Sequence, residues 1–225
     1  MRNYYAPLYP STFYHVYNRT NNKELLFQND DNRLFFLKKY KQYLADYVKT
    51  YAYCLLDNHF HFLIQVRSEE AINGSVINSP LDKRIKLHQE FIDSFSKKEN
   101  TSAIPYEVII SSQFQRFFNS YSKAYNKLHG REGNLLNQRF KRLAVESDDY
   151  FTQLIYYIHA NSKHHGIMED FRQYPWSSYC SILSDKPTAL ERAEVLDWFG
   201  GKEGFINDHQ HSFELTPIEK FIIED

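Results

Sequence analysis

The stretch Val48-Lys49-Thr50-Tyr51-Ala52-Tyr53-Cys54-Leu55-Leu56-Asp57-Asn58-His59-Phe60-His61-Phe62-Leu63-Ile64-Gln65-Val66 decides the fold. Aromatic and β-branched residues fill both halves, and Asp57-Asn58 between them is a turn pair whose side chains bond their own backbone. Val48–Leu56 and His59–Val66 therefore read as the two strands of a hairpin. Strand side chains alternate with period two, so His59 and His61 share one face while Phe60 and Phe62 share the other.

Working outward, Thr12–Arg19 reads as an earlier strand. Asn29 and Asp30 cap a helix over about Asp31–Tyr47, in which Leu34, Leu37, Tyr40, Leu44 and Tyr47 recur at helical steps. Residues 68–106 are polar and read as an insertion on the core. Ser112–Leu128 reads as a helix punctuated by Gly130 and Gly133. Leu143–Glu146 reads as a short last strand, and Asp148 or Asp149 caps a helix to about His164. The order β-α-β-β-insertion-α-β-α predicts an α+β fold: a ferredoxin-like antiparallel sheet with helices on one face. A helical insertion at about 68–106 and an acidic C-terminal extension, 181–225, are added to a domain spanning 1–180.

Composition excludes several function classes. The 225 residues carry 27 Lys+Arg against 28 Asp+Glu, with Gly and Pro at 7 each. No GxGxxG or GxxxxGK[ST] occurs, so a nucleotide cofactor has no support. The apolar runs are too short to span a bilayer. Met1–Pro7 has no apolar h-region, so secretion is not indicated. Cys54 and Cys180 alone make neither a disulfide framework nor a cysteine zinc site, and a cytoplasmic location is the default.

The near-neutral total hides an asymmetry. Residues 181–225 sum to -6, whereas Ser111–Leu143 sums to +6 through Arg116, Lys123, Lys127, Arg131, Arg139, Lys141 and Arg142 against Glu132. Aromatic residues interleave with those bases, among them Tyr121 and Tyr125. The pattern suits single-stranded nucleic acid, with cations meeting phosphates and rings stacking on bases. Taken alone, it better suits a solvated helix face over an aromatic core. The acidic extension either competes with nucleic acid for the basic surface or packs Leu196, Trp198 and Phe199 on the core.

The chemistry-bearing residues are few. Two imidazoles on one strand face can chelate a divalent ion, with Zn, Mn and Mg all open; the alternative is two half-exposed histidines. Leu63 stands where an HxHxD metal motif would need Asp. The helix 150–164 carries an apolar stripe of Phe151, Leu154, Ile155 and Ile158. Tyr157 lies off that stripe, in line with Gln153, Asn161 and His164. Tyr156 points about 100° away and competes with it.

Five motifs then occur in a recognisable order: Tyr14-His15-Val16-Tyr17-Asn18-Arg19, Asn58-His59-Phe60-His61-Phe62-Leu63-Ile64, Phe140-Lys141-Arg142, Tyr157-Ile158-His159-Ala160-Asn161, and Tyr174-Pro175-Trp176-Ser177-Ser178-Tyr179. Over roughly residues 10–180 the chain resembles the REP-associated tyrosine transposases, single-tyrosine members of the HUH superfamily. The family usually continues the tyrosine motif with Asn-Pro, which shapes the helix end; here Ser162 follows Asn161.

The resemblance implies metal-dependent cleavage and strand transfer of single-stranded DNA beside a hairpin, through a 5′-phosphotyrosine. It implies Tyr157 as nucleophile, His59, His61 and Asn161 as ligands of Mg or Mn, and a monomer or homodimer. Arg116, Lys123, Arg139, Lys141 and Arg142 become candidates for DNA phosphates, and Tyr121 and Tyr125 for base stacking. A free phenol ionises near ~10, so the attacking tyrosine needs assistance at neutral pH. A phosphotyrosine keeps the bond energy, so rejoining needs no ATP. A non-catalytic DNA-binding protein on the same scaffold is the alternative. A metal hydrolase without a covalent intermediate is a third reading, and it lacks a carboxylate at ligand spacing.

Overall fold

The hairpin forms as its turn residues require: the Leu56 amide donates to the His59 carbonyl across Asp57-Asn58. Its strands are β2 (Val48–Leu55) and β3 (His59–Val66). β1 (Phe13–Arg19) pairs antiparallel with β3, and β4 (Lys141–Val145) pairs antiparallel with the other edge of β1. The four-stranded order is β2-β3-β1-β4. The computed structural model describes residues 3–77, 105–145 and 148–210, with Glu90, Asp93, Ser94 and Lys97 between the first two spans.

Two long helices cover one sheet face, as the predicted α+β architecture requires. They are α1 (Asp30–Leu44) and, beyond α2 (Glu69–Ile77), α3 (Tyr106–His129). Asn29 caps α1 by accepting from the Asn32 amide at 3.0 Å, and Asp30 and Asp31 complement the positive end of its dipole. The helix stops at Leu44 rather than Tyr47 because the Tyr47 amide turns back to the Leu44 carbonyl and feeds β2. α3 begins six residues before the predicted Ser112. Tyr106, Ile109 and Ile110 extend its buried stripe through Phe114, Phe117 and Phe118 to Tyr125. Gly130 ends it in the left-handed conformation (φ 60°). The insertion predicted at 68–106 thus yields α2 and reaches the first residue of α3, and most of the rest lies outside the described residues.

Phe60, Phe62, Tyr14 and Val16 meet these helices in one core. Phe36 of α1 is its hub: its ring lies 4.8–5.1 Å from those of Phe27, Phe60, Phe117 and Tyr121.

The opposite face is covered too, by α4 (Asp148–His164) over β2 and β3, so helices flank both sheet faces where the element order predicts one; the apolar residues of that face, such as Ala52 and Leu63, need a cover of their own. Phe151, Leu154, Ile155 and Ile158 are buried there as their spacing predicts. With no proline after Asn161, α4 continues through Ser162 to His164. Beyond it come α5 (Tyr179–Leu183), α6 (Arg192–Trp198) and α7 (Lys202–Gln210). These pack into the same second core, with Trp198 stacked at 4.9 Å on Tyr51 and at 5.0 Å on Phe151. Of the two expectations for the extension, core packing is what residues 181–210 do; residues 211–225 lie outside the described ones.

A buried polar chain ties α7 to α4. Nδ1–H of His209 donates to the Phe205 carbonyl at 2.7 Å, so its Nε2 must accept from His159 Nδ1–H, 2.9 Å away. His159 Nε2 in turn accepts from the Ser178 hydroxyl at 2.7 Å. That hydroxyl also accepts from the Tyr53 amide of β2. Burial drives the His159 pKa well below its ordinary value and that of His209 down to about 4.

Phe36→Ala is expected to cost about 3–5 kcal/mol by leaving a cavity at the aromatic hub; a lowered urea midpoint with unchanged slope checks it. The histidine chain sets a pH dependence. Both histidines stay neutral when folded, while the unfolded chain takes up protons below about pH 6.5. Stability is therefore complete above that pH and falls as the pH drops toward about 4, by about 3 kcal/mol for His209 alone. Denaturant titrations across that window measure it, and His209→Gln should flatten the slope.

Candidate functional site

The register of β1 against β3 builds the site. Tyr17 faces His61 and Arg19 faces His59, so the histidines and tyrosine of alternate positions gather on the face under α4. The His15, Tyr17 and His61 rings stack nearly parallel, 4.8–5.4 Å apart. His15 and His61 are fully buried. From above, the Tyr157 ring stands edge-on at 5.9 Å from His61 and 6.2 Å from His15. Two turns further along the chain, His165 packs at 4.5 Å on His59. Asn161 lies between these two anchor points on the same side of the helix.

Each of three donor side chains is fixed through its other polar atom. The Asn58 amide oxygen can only accept, so the 2.6 Å contact puts the proton on His59 Nδ1 and the lone pair on Nε2. Nδ1 of His61 and Nε2 of His15 share one hydrogen bond at 3.0 Å, and the tautomer of the pair decides which ring donates. The Asn161 Nδ2 donates to the Tyr157 carbonyl at 2.9 Å, and its Oδ1 is buried with no hydrogen-bond partner. A buried acceptor left unmatched is costly, and a cation would satisfy it. Among the described residues no group of three or more His, Cys, Asp or Glu is gathered for a metal. Of His59, His61 and Asn161, the amide supplies a hard oxygen of the kind that suits Mg or Mn, and its orphaned Oδ1 is what a cation would satisfy.

Tyr156, the competing tyrosine, faces the other way. It packs on Phe171 and His209 at 5.7 Å, and burial raises its pKa.

A cleft of about 570 Å³ opens beside His59, lined by Arg19, Lys23, Arg139 and Lys141 with Tyr5 and Tyr17. Its lining contains no acid. Arg139 lies 5.5 Å over the Tyr5 ring, and Lys141 5.6 Å over Tyr17. Of the bases expected to meet DNA, Arg139 and Lys141 are brought to the histidines. Arg142 is not. Strand alternation turns it to the other side, where it lies over Phe140 at 4.7 Å and donates to the Ala6 carbonyl at 2.7 Å. Arg116 and Lys123 are exposed on α3, across the sheet. Lys123 lines a second cleft with Asn119, Asn137 and Gln138. Tyr121 and Tyr125 are buried, their hydroxyls donating to the Leu26 and Leu25 carbonyls at 2.7 Å, so they offer no stacking surface.

Sequence reading missed His15, Asn58, Tyr17, Arg19, Lys23 and His165 as contributors. His15, Tyr17 and Arg19 share alternate positions of a strand paired with the histidine strand, and that alternation was the available signal.

The sheet, its paired helices and the tyrosine-bearing helix over the histidines form an α+β fold with a four-stranded antiparallel sheet. A solved structure of a REP-associated tyrosine transposase bound to a REP hairpin superposes with a TM-score of 0.50 and 14% identity, over 83% of this chain and 87% of that one. At that identity the likeness is one of fold. No protein-family profile matches the chain, and no curated protein matches it significantly. Among the described residues no helix is long and apolar enough to cross a membrane.

Proposed function

We propose that this protein is a transposase-type enzyme that cuts single-stranded DNA beside a hairpin and joins the 5′ end to Tyr157. The observation that carries the reading is the placement of the Tyr157 ring directly over His61, with Asn161 one turn away on the same helix. The fold likeness to a transposase bound to a hairpin supports the substrate class.

Nε2 of His59, Nε2 of His61 and Oδ1 of Asn161 would hold Mg²⁺ or Mn²⁺. Such an ion, when bound, polarises a non-bridging phosphate oxygen and orients the phosphodiester. Arg139 and Lys141, with Arg19 and Lys23, draw the DNA backbone into the cleft beside His59. Tyr5 holds the end of Arg139 and Tyr17 that of Lys141, narrowing the side chains' freedom. The Tyr157 hydroxyl loses its proton and its oxygen forms a bond to phosphorus. The bond from phosphorus to the 3′ oxygen breaks, and that oxygen takes a proton to leave as a 3′-OH. Attack of a 3′-OH on the phosphotyrosine reverses these steps and releases the phenol.

Mixing the protein with Mn²⁺ and single-stranded hairpin oligonucleotides from the DNA flanking its gene should give a denaturation-resistant protein–DNA adduct. Tyr157→Phe should abolish it and leave hairpin binding intact, whereas Tyr156→Phe should retain it. Binding without an adduct, under Mg²⁺ and Mn²⁺ alike, would replace this reading with a non-catalytic DNA-binding protein. Arg139→Ala and Lys141→Ala should each weaken hairpin binding whatever its sequence and reduce the slope of log K against log salt by about 1; fluorescence anisotropy at several salt concentrations reads both.

A further inference from the structure

We infer that His15 is the positioning residue that makes His61 a metal ligand, by holding its Nδ1 protonated and its ring in place. This rests on the metal-dependent reading above and adds a residue that reading does not use.

His15 faces Leu63 across one strand pair and Leu143 across the other. It is fully buried. An aliphatic residue would suit those neighbours, and an imidazole there must recover the cost of losing water through a hydrogen bond. The bond found is to His61, at 3.0 Å. For His61 to coordinate through Nε2, its Nδ1 must carry the proton and donate to Nε2 of His15. His15 then carries its own proton on Nδ1.

The neighbouring ligand is arranged the same way. The Asn58 oxygen fixes the proton on Nδ1 of His59. Both histidines are thus oriented through Nδ1 by an acceptor: an adjacent amide for His59 and a cross-strand imidazole for His61. Such supporting partners orient the ring, raise ligand basicity and commonly set metal affinity by 10–100-fold. Tyr17 stacks on both rings at 4.8 and 5.4 Å and keeps them in register.

The test is a Mn²⁺ titration of the full-length protein, read by loss of the free-ion paramagnetic resonance signal. His15→Leu should weaken Mn²⁺ about ten-fold or more, and His15→Gln, whose amide oxygen can accept from His61, should recover most of that loss. Equal affinity in His15→Leu and wild type overturns the inference, as does a His15→Gln protein that melts like wild type yet binds no better than His15→Leu. If His61→Ala binds Mn²⁺ as well as wild type, the metal reading itself fails, and with it this one. A second measurement needs no variant: ¹⁵N shifts of the metal-free protein should place the His61 proton on Nδ1, and a proton on Nε2 overturns the inference.

Discussion

The pairing of Tyr17 with His61 sets the chemistry of this molecule, because it fixes which residues of two neighbouring strands share a face. Alternation has no tolerance for a slip: moving β3 by one residue would turn His59 and His61 into the aromatic core and Phe60 and Phe62 out under α4. The aromatic hub around Phe36 opposes that slip. The core on one face therefore holds the histidines on the other. α4 reads the same logic from above. Its apolar stripe seats on β2 and β3, and Tyr157, off that stripe, meets a patch of imidazoles rather than aliphatic residues. Tyr157 is buried for that reason, although its own helix neighbours are polar.

A second constraint is rotational. A histidine or an amide offers two polar atoms, and a site needs a particular one of them. Here the unwanted atom is occupied in each case: His59 Nδ1 by Asn58, His61 Nδ1 by His15, Asn161 Nδ2 by the Tyr157 carbonyl. This arrangement costs little in isolation and removes the rotamer freedom that would otherwise blur the donor set. The histidine chain that ties α7 to α4 serves the same end at longer range, since it anchors the helix that carries Tyr157.

Much of this was legible in the sequence because it follows from period. The hairpin, the shared face of His59 and His61, and the apolar stripe of α4 come from alternation and helical spacing alone, and the element order gave the antiparallel α+β sheet. The limits have physical causes too. Lys141 and Arg142 are adjacent in sequence and look alike in a charge count, yet a strand sends them to opposite sides. Tyr121 and Tyr125 interleave with bases but stand on the core side of α3, where their hydroxyls meet backbone carbonyls. His15 stood in a quoted motif but had no role there, because its partner lies 46 positions away and is joined to it only across the sheet. The helix α3 began early because Tyr106, Ile109 and Ile110 find the core ready, a tertiary effect that local composition does not announce.

The most direct test of the central claim, that three pinned donors converge on one ion beneath Tyr157, is anomalous diffraction from crystals of the protein grown with Mn²⁺. One strong manganese peak bonded to Nε2 of His59, Nε2 of His61 and Oδ1 of Asn161 is expected. A peak held by other residues, or histidines bound to manganese through Nδ1, would contradict it.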